Sequence, residues 1–208
     1  CSFTENAASD SGDDGWHGRG GSAQFIDCTT YISDSLFQSG IATYGSGVHV
    51  SGGTLHAIGS EFMQNSGGSG ALEGDLASWT VHDCEFVDNS AFWDGAAINT
   101  SWGIELTMSN CVFDGNQANF NGGAIRTLGA ISTMTNCTFT NNVASTSTDP
   151  DYYGDGGAIL ALSGSLTING THIAHNEATR GTAIHVDGGS LVLQHSTLHQ
   201  NAGGTGAI

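Results

Sequence analysis

Five cysteines, nine histidines and twenty carboxylates are the side chains of this 208-residue chain that could do chemistry, and their spacing favours some kinds over others. Cys84, Cys111 and Cys137 recur a whole repeat apart, at one position of three successive units. Metal tetrads use closely paired Cys or His, so these three read as a stack of small buried thiols. Adjacent members would fall within disulfide range, but three in a row cannot all pair; Cys28 is off the register, and Cys1 lacks a preceding unit. Asp149, Asp151 and Asp155 crowd one loop, as Asp10, Asp13 and Asp14 crowd another. Clustered carboxylates are candidates for Ca²⁺, which takes six to eight oxygens. No EF-hand or nonapeptide calcium repeat accompanies them, so solvated acidic loops are the plainer reading and no cofactor is assigned. Trp16, Tyr152 and Tyr153 stand on the same two loops and point to a contact surface for a lateral partner or a glycan.

Catalysis finds less support. A polyuronate lyase needs a base and cations to balance the substrate carboxylate, whereas this chain has three scattered arginines and no lysine. A glycoside hydrolase needs two facing carboxylates; Asp83, Asp88 and Asp114 on neighbouring units offer such pairs only by chance. No catalytic residue is assigned, and the chain is read as a non-enzyme. His49, His185 and Arg126 read as outward-facing. Three sequons, at Asn99, Asn136 and Asn169, are possible glycosylation sites; Asn136 adjoins Cys137, which favours the other two.

The elements that hold these residues are written in a repeat. Asn/Asp-Cys-x-Phe-x-x-Asn occurs at Asp83–Asn89, Asn110–Asn116 and Asn136–Asn142, with looser copies around Phe3, Phe37, Phe62, Ile173 and Leu198. A second phrase, Gly-Gly-Ala-Ile or a relative, ends at Ala23, Val48, Leu72, Ile98, Ile125, Ile159, Ile184 and Ile208. From it to the next aromatic position the interval is 14 residues, or 15 from Ile98 to Phe113, while the return varies from 10 to 20, so insertions are confined to one corner. Between the phrases lie alternating stretches such as Leu106-Thr107-Met108, the period-2 pattern of a half-buried strand. Glycines interrupt every run before a helix could stabilise.

Units of this size cannot bury a core alone, but stacked they close a continuous one. The sequence therefore predicts an all-β, right-handed, single-stranded parallel β-helix, with about eight coils of 24–27 residues, partial ones included and two of them carrying longer loops. Phe3, Phe37, Phe62, Phe86, Phe113 and Phe139 would form one aromatic stack. Asn6, Asn65, Asn89, Asn116, Asn142, Asn176 and Asn201 would form an amide ladder, broken where Gly40 replaces asparagine. Residues 1–72 also align without gaps on 137–208, which implies a five-coil super-repeat of 136 residues, one copy over 1–136 and part of another over 137–208. Both ends fall inside a phrase, as expected of a section of a longer protein or of units that join end to end.

The paired phrases, carried by Gly122–Ile125, Gly156–Ile159, Phe86–Asn89, Phe113–Asn116 and Phe139–Asn142 through nearly the whole chain, resemble the polymorphic membrane proteins of chlamydiae and β-helical autotransporter passengers. The resemblance implies a cell-surface, adhesive solenoid; no autotransporter barrel accompanies it here. A net charge of −17 disfavours nucleic acid and anionic lipid, and no stretch is long and apolar enough for direct membrane insertion by a helix. The expectation is an extracellular structural or adhesive solenoid, a section of a surface protein or filament shaft whose loops meet other copies, other surface proteins or glycans. Two alternatives are a carbohydrate-active lyase or hydrolase of the pectin-lyase-like class and a calcium-dependent binding module.

Overall fold

The computed structural model describes residues 1–8, 18–147 and 154–208. Its elements are all strands, and every strand pair is parallel. The aromatic phrases form an eight-stranded sheet running from Ser2–Thr4 to Thr197–His199. The Gly-Ala-Ile phrases form a seven-stranded sheet from Ala23–Ile26 to Ile184–Asp187, and the alternating segments a third of seven, from Thr29–Ser33 to Ser190–Gln194. The chain is thus a right-handed parallel β-helix with eight levels at the aromatic sheet and about seven complete turns. A fourth set of strands, unforeseen from the sequence, fills the variable corner: Ile41–Ala42, Ser66–Gly67, Ser90–Ala91 and Gln117–Ala118 pair in series, and Glu177–Arg180 pairs with Ala202–Thr205.

Two sharp turns bracket each aromatic strand, and backbone sterics explain the residues found there. Asp34, Asp83, Asn110, Asn136 and His195 precede the small residue with φ between 45° and 54°. Glu5, Ser39, Gln64, Asp88, Asn141, His175 and Gln200 precede the ladder position with φ between 53° and 58°. Asn and Asp tolerate this left-handed region better than other side-chain-bearing residues, hence the recurrent Asn/Asp before Cys.

The core is a column of stacked like residues. Successive rings from Phe3 through Phe37, Phe62, Phe86 and Phe113 to Phe139 lie 4.5–4.9 Å apart with interplanar angles of at most 10°. Such pairs contribute about 0.5–1.5 kcal/mol each beyond area burial. One local exchange shows how tightly volume is balanced. Trp79 takes the place of Leu55 and Leu106 in its sheet and is buried. Gly74 lies against it: a Cβ there would sit 3.0 Å from the indole and, closer still, 1.7 Å from the Val50 carbonyl oxygen.

The amide column is continuous from Asn65 to Asn201. Each Oδ1 accepts from the backbone N–H and Nδ2 of the preceding asparagine at 2.9–3.2 Å, as Asn116 Oδ1 does from Asn89. Each Nδ2 also donates to the carbonyl at the preceding aromatic position, Asn116 to Phe86 and Asn201 to Ile173. Gly40 begins the run through its own N–H, which donates to Asn65 Oδ1 at 2.9 Å. Asn6 stands outside the ladder, its Nδ2 turned to Ser22 Oγ at 3.4 Å, because Gly40 offers no amide to meet it.

Cys84, Cys111 and Cys137 are buried free thiols in register. Each donates to the carbonyl two residues earlier, and Ser35, Ser60, Thr171 and Ser196 make the same bond with hydroxyls. The position therefore selects a small donor, sulfur or oxygen, and cysteine is one choice among three.

Candidate functional site

On the sheet of Gly-Ala-Ile phrases, the residue after the buried aliphatic points away from the core. Pairing puts Gln24, His49, Glu73, Asn99, Arg126, Leu160 and His185 side by side in that stripe. Glu73 is 6% exposed and His49 5%. His49 points outward, as expected, but it is buried rather than exposed. Arg126 is only partly exposed, and so is His185.

Glu73 is held from three coils. Its Oε2 accepts from Ser69 Oγ and from the Gly45 N–H at 2.7 Å, and its Oε1 from Asn99 Nδ2 at 3.1 Å. Burial nevertheless outweighs those donors and pushes its carboxyl up to about 7. Burial first, and then Arg19, push the His49 imidazole down to about 4. Among the described residues, His49 Nδ1 is buried with no hydrogen-bond partner. With Arg19, Tyr44, Asp75 and Ser101 the two residues line a cleft of about 120 Å³. Arg19 lies over the Tyr44 ring at 5.8 Å, and Asp75 Oδ1 accepts from Ser51 Oγ at 2.7 Å.

A polar chain leaves Glu73 along the corner. Asn99 Oδ1 accepts from Arg126 Nη1 at 3.4 Å, Arg126 Nε lies 3.8 Å from Asp94, and Asp94 accepts from Asn121 Nδ2 at 3.0 Å. Asn121 Oδ1 accepts from the Asp155 N–H, and Asp155 pairs with Arg180 through two bonds of 2.6 Å. Arg19, Arg126 and Arg180, the chain's only basic residues besides histidine, thus all stand at this corner.

Beside the cleft lies an aromatic cluster. Trp93 stacks on Tyr44 at 5.9 Å, and Phe92 meets Trp93 and Phe120 edge-on at 5.9 and 6.3 Å. Phe92 is 58% exposed and Trp93 39%. With Ile41, Thr43 and Gly68 they border a groove of about 410 Å³.

Other positions read as sites fare differently. Trp16, Tyr152, Tyr153, Asp149 and Asp151, with Asp10, Asp13 and Asp14, lie outside the described residues. Asp155 is ion-paired to Arg180, and among the described residues no group of three or more His, Cys, Asp or Glu is placed to hold a metal ion. Asp83 and Asp114 do not converge: Asp83 Oδ1 accepts from Asn110, and Asp114 Oδ1 from Thr140 and Asn141. The preference for Asn99 as a sequon is corrected, since it is buried with both amide atoms engaged. Asn136 is the exposed one, on a left-handed turn, and Asn169 is half-buried with His195 on its Oδ1 at 3.1 Å.

A family model for the Chlamydia polymorphic membrane protein repeat matches residues 110–127 and 136–162. Each stretch runs from the turn before a buried cysteine, through a stacked phenylalanine and a ladder asparagine, to the next isoleucine strand. These two stretches of the β-helix are similar to that family's repeat. Over 107 residues the chain is also 30% identical to the metabotropic glutamate receptor-like protein R of Dictyostelium discoideum. That stretch is 51% of this chain and 6% of the relative's length. No solved structure matches the chain.

The repeat itself says nothing of Glu73, His49 or the Phe92–Trp93 pair, which sequence reasoning missed. One signal was present: Ser69 occupies the position that is a glycine with positive φ at Gly45, Gly95 and Gly122, and it supplies the hydroxyl that Glu73 requires.

Proposed function

We propose that the chain is a surface-exposed structural and adhesive solenoid, whose column acts as a stiff spacer and whose one elaborated corner makes the contacts. The observation that carries this reading is the clustering of aromatics at that corner: Phe92 and Trp93 stand exposed there beside a groove, in contact with Phe120 and Tyr44, whereas the other exposed rings, Tyr31 and Trp102, stand apart on other faces and the stacked rings from Phe37 to Phe139 are buried. Aromatic side chains dominate interface energetics, and isolated apolar patches on soluble surfaces mark contacts. The match to repeats of a family named for membrane proteins supports a place at the cell surface. The 136-residue super-repeat is supported by parallel bridges at equivalent places, Arg19 to Tyr44 and Asp155 to Arg180. It would set contact faces at a regular interval along a filament or surface protein.

Antibody raised to the folded chain should label intact source cells without permeabilisation. Purified chain added to those cells should be retained, and the double variant Phe92→Ala, Trp93→Ala should lower retention roughly ten-fold with unchanged circular dichroism. Labelling only after permeabilisation would refute the surface role, and full retention of the double variant would refute the contact face.

A further inference from the structure

The cleft beside the aromatic cluster has a composition that neither packing nor the repeat requires. Its inner wall is His49 and Glu73, its outer rim Arg19, Asp75 and Ser101, and Tyr44 lies across one end. Within the described residues His49 Nδ1 has no partner, although the residue is 5% exposed. A buried polar atom left without a bond carries a real cost; the asparagine ladder avoids it from Asn65 to Asn201, and of the described atoms left without a partner, which include Trp79 Nε1, Thr100 Oγ1 and Ser132 Oγ, His49 Nδ1 is the one whose residue lines the cleft. His49 lines an open cleft, and its orphaned nitrogen, itself out of solvent contact, lacks a bond that a ligand seated there could supply once the imidazole turns toward it.

The surrounding chemistry narrows the ligand. Anions meet a chain of net charge −17 and two carboxyl groups in the cleft itself. Cations meet Arg19, and among the described residues no metal-holding group exists. What remains matched is a neutral, polyhydroxylated ring, which needs donors and acceptors interleaved and an aromatic edge beside them. Arg19 and Ser101 donate, Asp75 and Ser101 accept, and Tyr44 lends its ring. The volume of about 120 Å³ suits one ring, not a chain of them. Because Trp93 stacks on Tyr44, the units that follow would lie toward the exposed aromatics.

We propose that the cleft formed by Arg19, Tyr44, His49, Glu73, Asp75 and Ser101 is a subsite for a single neutral sugar residue of a glycan. This deepens the adhesive reading and rests on it. The two inner groups suit that ligand, for His49 is neutral at pH 7 and Glu73 is held near the midpoint of its titration.

Saturation-transfer NMR on the purified chain tests the assignment with D-glucose, D-galactose, D-mannose, L-fucose, N-acetyl-D-glucosamine and N-acetyl-D-galactosamine, and with D-glucuronate as the anionic counterpart. At least one neutral sugar should receive saturation. Ser101→Tyr, which fills the cleft from its rim, should abolish the transfer, and Asp75→Asn should weaken binding roughly ten-fold. If Ser101→Tyr does not fold, Asp75→Asn decides. No transfer to any of the six, transfer to glucuronate alone, or transfer that both folded variants leave unchanged would overturn the subsite. The two readings fail separately: cells labelled without permeabilisation but no sugar bound removes the cleft and leaves the surface role, and sugar bound without surface labelling does the reverse.

Discussion

The amide column inside the corner and the Glu73 cluster outside it are both buried and polar, yet they solve that problem in opposite ways. In the column each asparagine meets the same partners as the one before it, so every amide is satisfied by repetition. Around Glu73 no two neighbours in the stripe are alike, and the arrangement leaves one imidazole nitrogen unbonded and one carboxyl near neutrality at pH 7. Repetition makes a buried polar group cheap, because one geometry serves all levels. A polar group that occurs once must be held by exceptions, and the exceptions mark where something besides the fold is served.

The sharpest way to break the contrast is to remove one rung. Asn116→Ala deletes the acceptor for two Asn89 donors and the donors to Phe86 O and Asn142 Oδ1. With orphaned buried groups at about 1–3 kcal/mol each, the expected loss is ~4 kcal/mol or more in denaturant unfolding. Asn6→Ala, which touches no rung, should cost less than about 1 kcal/mol. Equal losses would mean the ladder is not the cooperative unit described.

Gly40 sharpens the comparison from the other side. Its absence of an amide looks like a gap to be repaired, but a Cβ there would lie 2.2 Å from the Ser46 carbonyl oxygen and 2.9 Å from Asn65 Oδ1. Gly40→Asn should therefore lower stability by about 1–3 kcal/mol, as overpacking does, and leave the column no longer than before. A thermal midpoint raised by this substitution would show that the backbone can move aside.

Titration separates the two inner groups of the cluster. Glu73 keeps its proton in the folded chain at pH values where the unfolded chain has lost it, so its contribution is full below about 4.5 and is lost as pH rises to about 7. His49 works the other way, full above about 6.5 and lost as pH falls to about 4. Between those limits the two slopes oppose each other. In the parent chain they should largely cancel there. Glu73→Gln should expose a loss on acidification, and His49→Gln a loss of up to ~3 kcal/mol on raising the pH from about 4.5 to 7. Chemical denaturation at a series of pH values reads both, and parallel profiles in the two variants would refute the assignment.

Most of the fold was legible because its determinants are local and recur. The fixed interval from Gly-Ala-Ile to Phe, the Asn/Asp before Cys and the ladder asparagines each repeat a backbone requirement at every level, so one instance confirms the next. The corner strands were not legible: two residues such as Ile41–Ala42 carry no period, and their length varies with the insertions. Glu73 and His49 escaped because period-2 alternation assigns outward positions to solvent. Nothing in the alternation reveals that Ser69, Gly45 and Asn99 close on Glu73 or that Arg19 and Tyr44 stand beside His49. Ser69, breaking a glycine consensus four residues before Glu73, was the one local mark of that burial.

The smallest expected effect lies in the thiol column, which belongs with the amides, on the repetitive side of the contrast. If the position requires only a small donor to the carbonyl two residues back, Cys111→Ser replaces one member of a series with the atom that Ser60 and Ser196 already use. The cost should be roughly 1 kcal/mol, less than for removing any asparagine rung. Reactivity gives a second reading. Burial pushes the Cys84 thiol up, and hydrogen bonding to Cys137 followed by burial pushes up that of Cys111, so neither offers a thiolate to an alkylating reagent. Cys1 and Cys28 are exposed and should react quickly in the native chain, the other three only on unfolding. Rapid modification of Cys111 without loss of circular dichroism would show the column open to solvent, and like residues in register would then no longer explain its dryness.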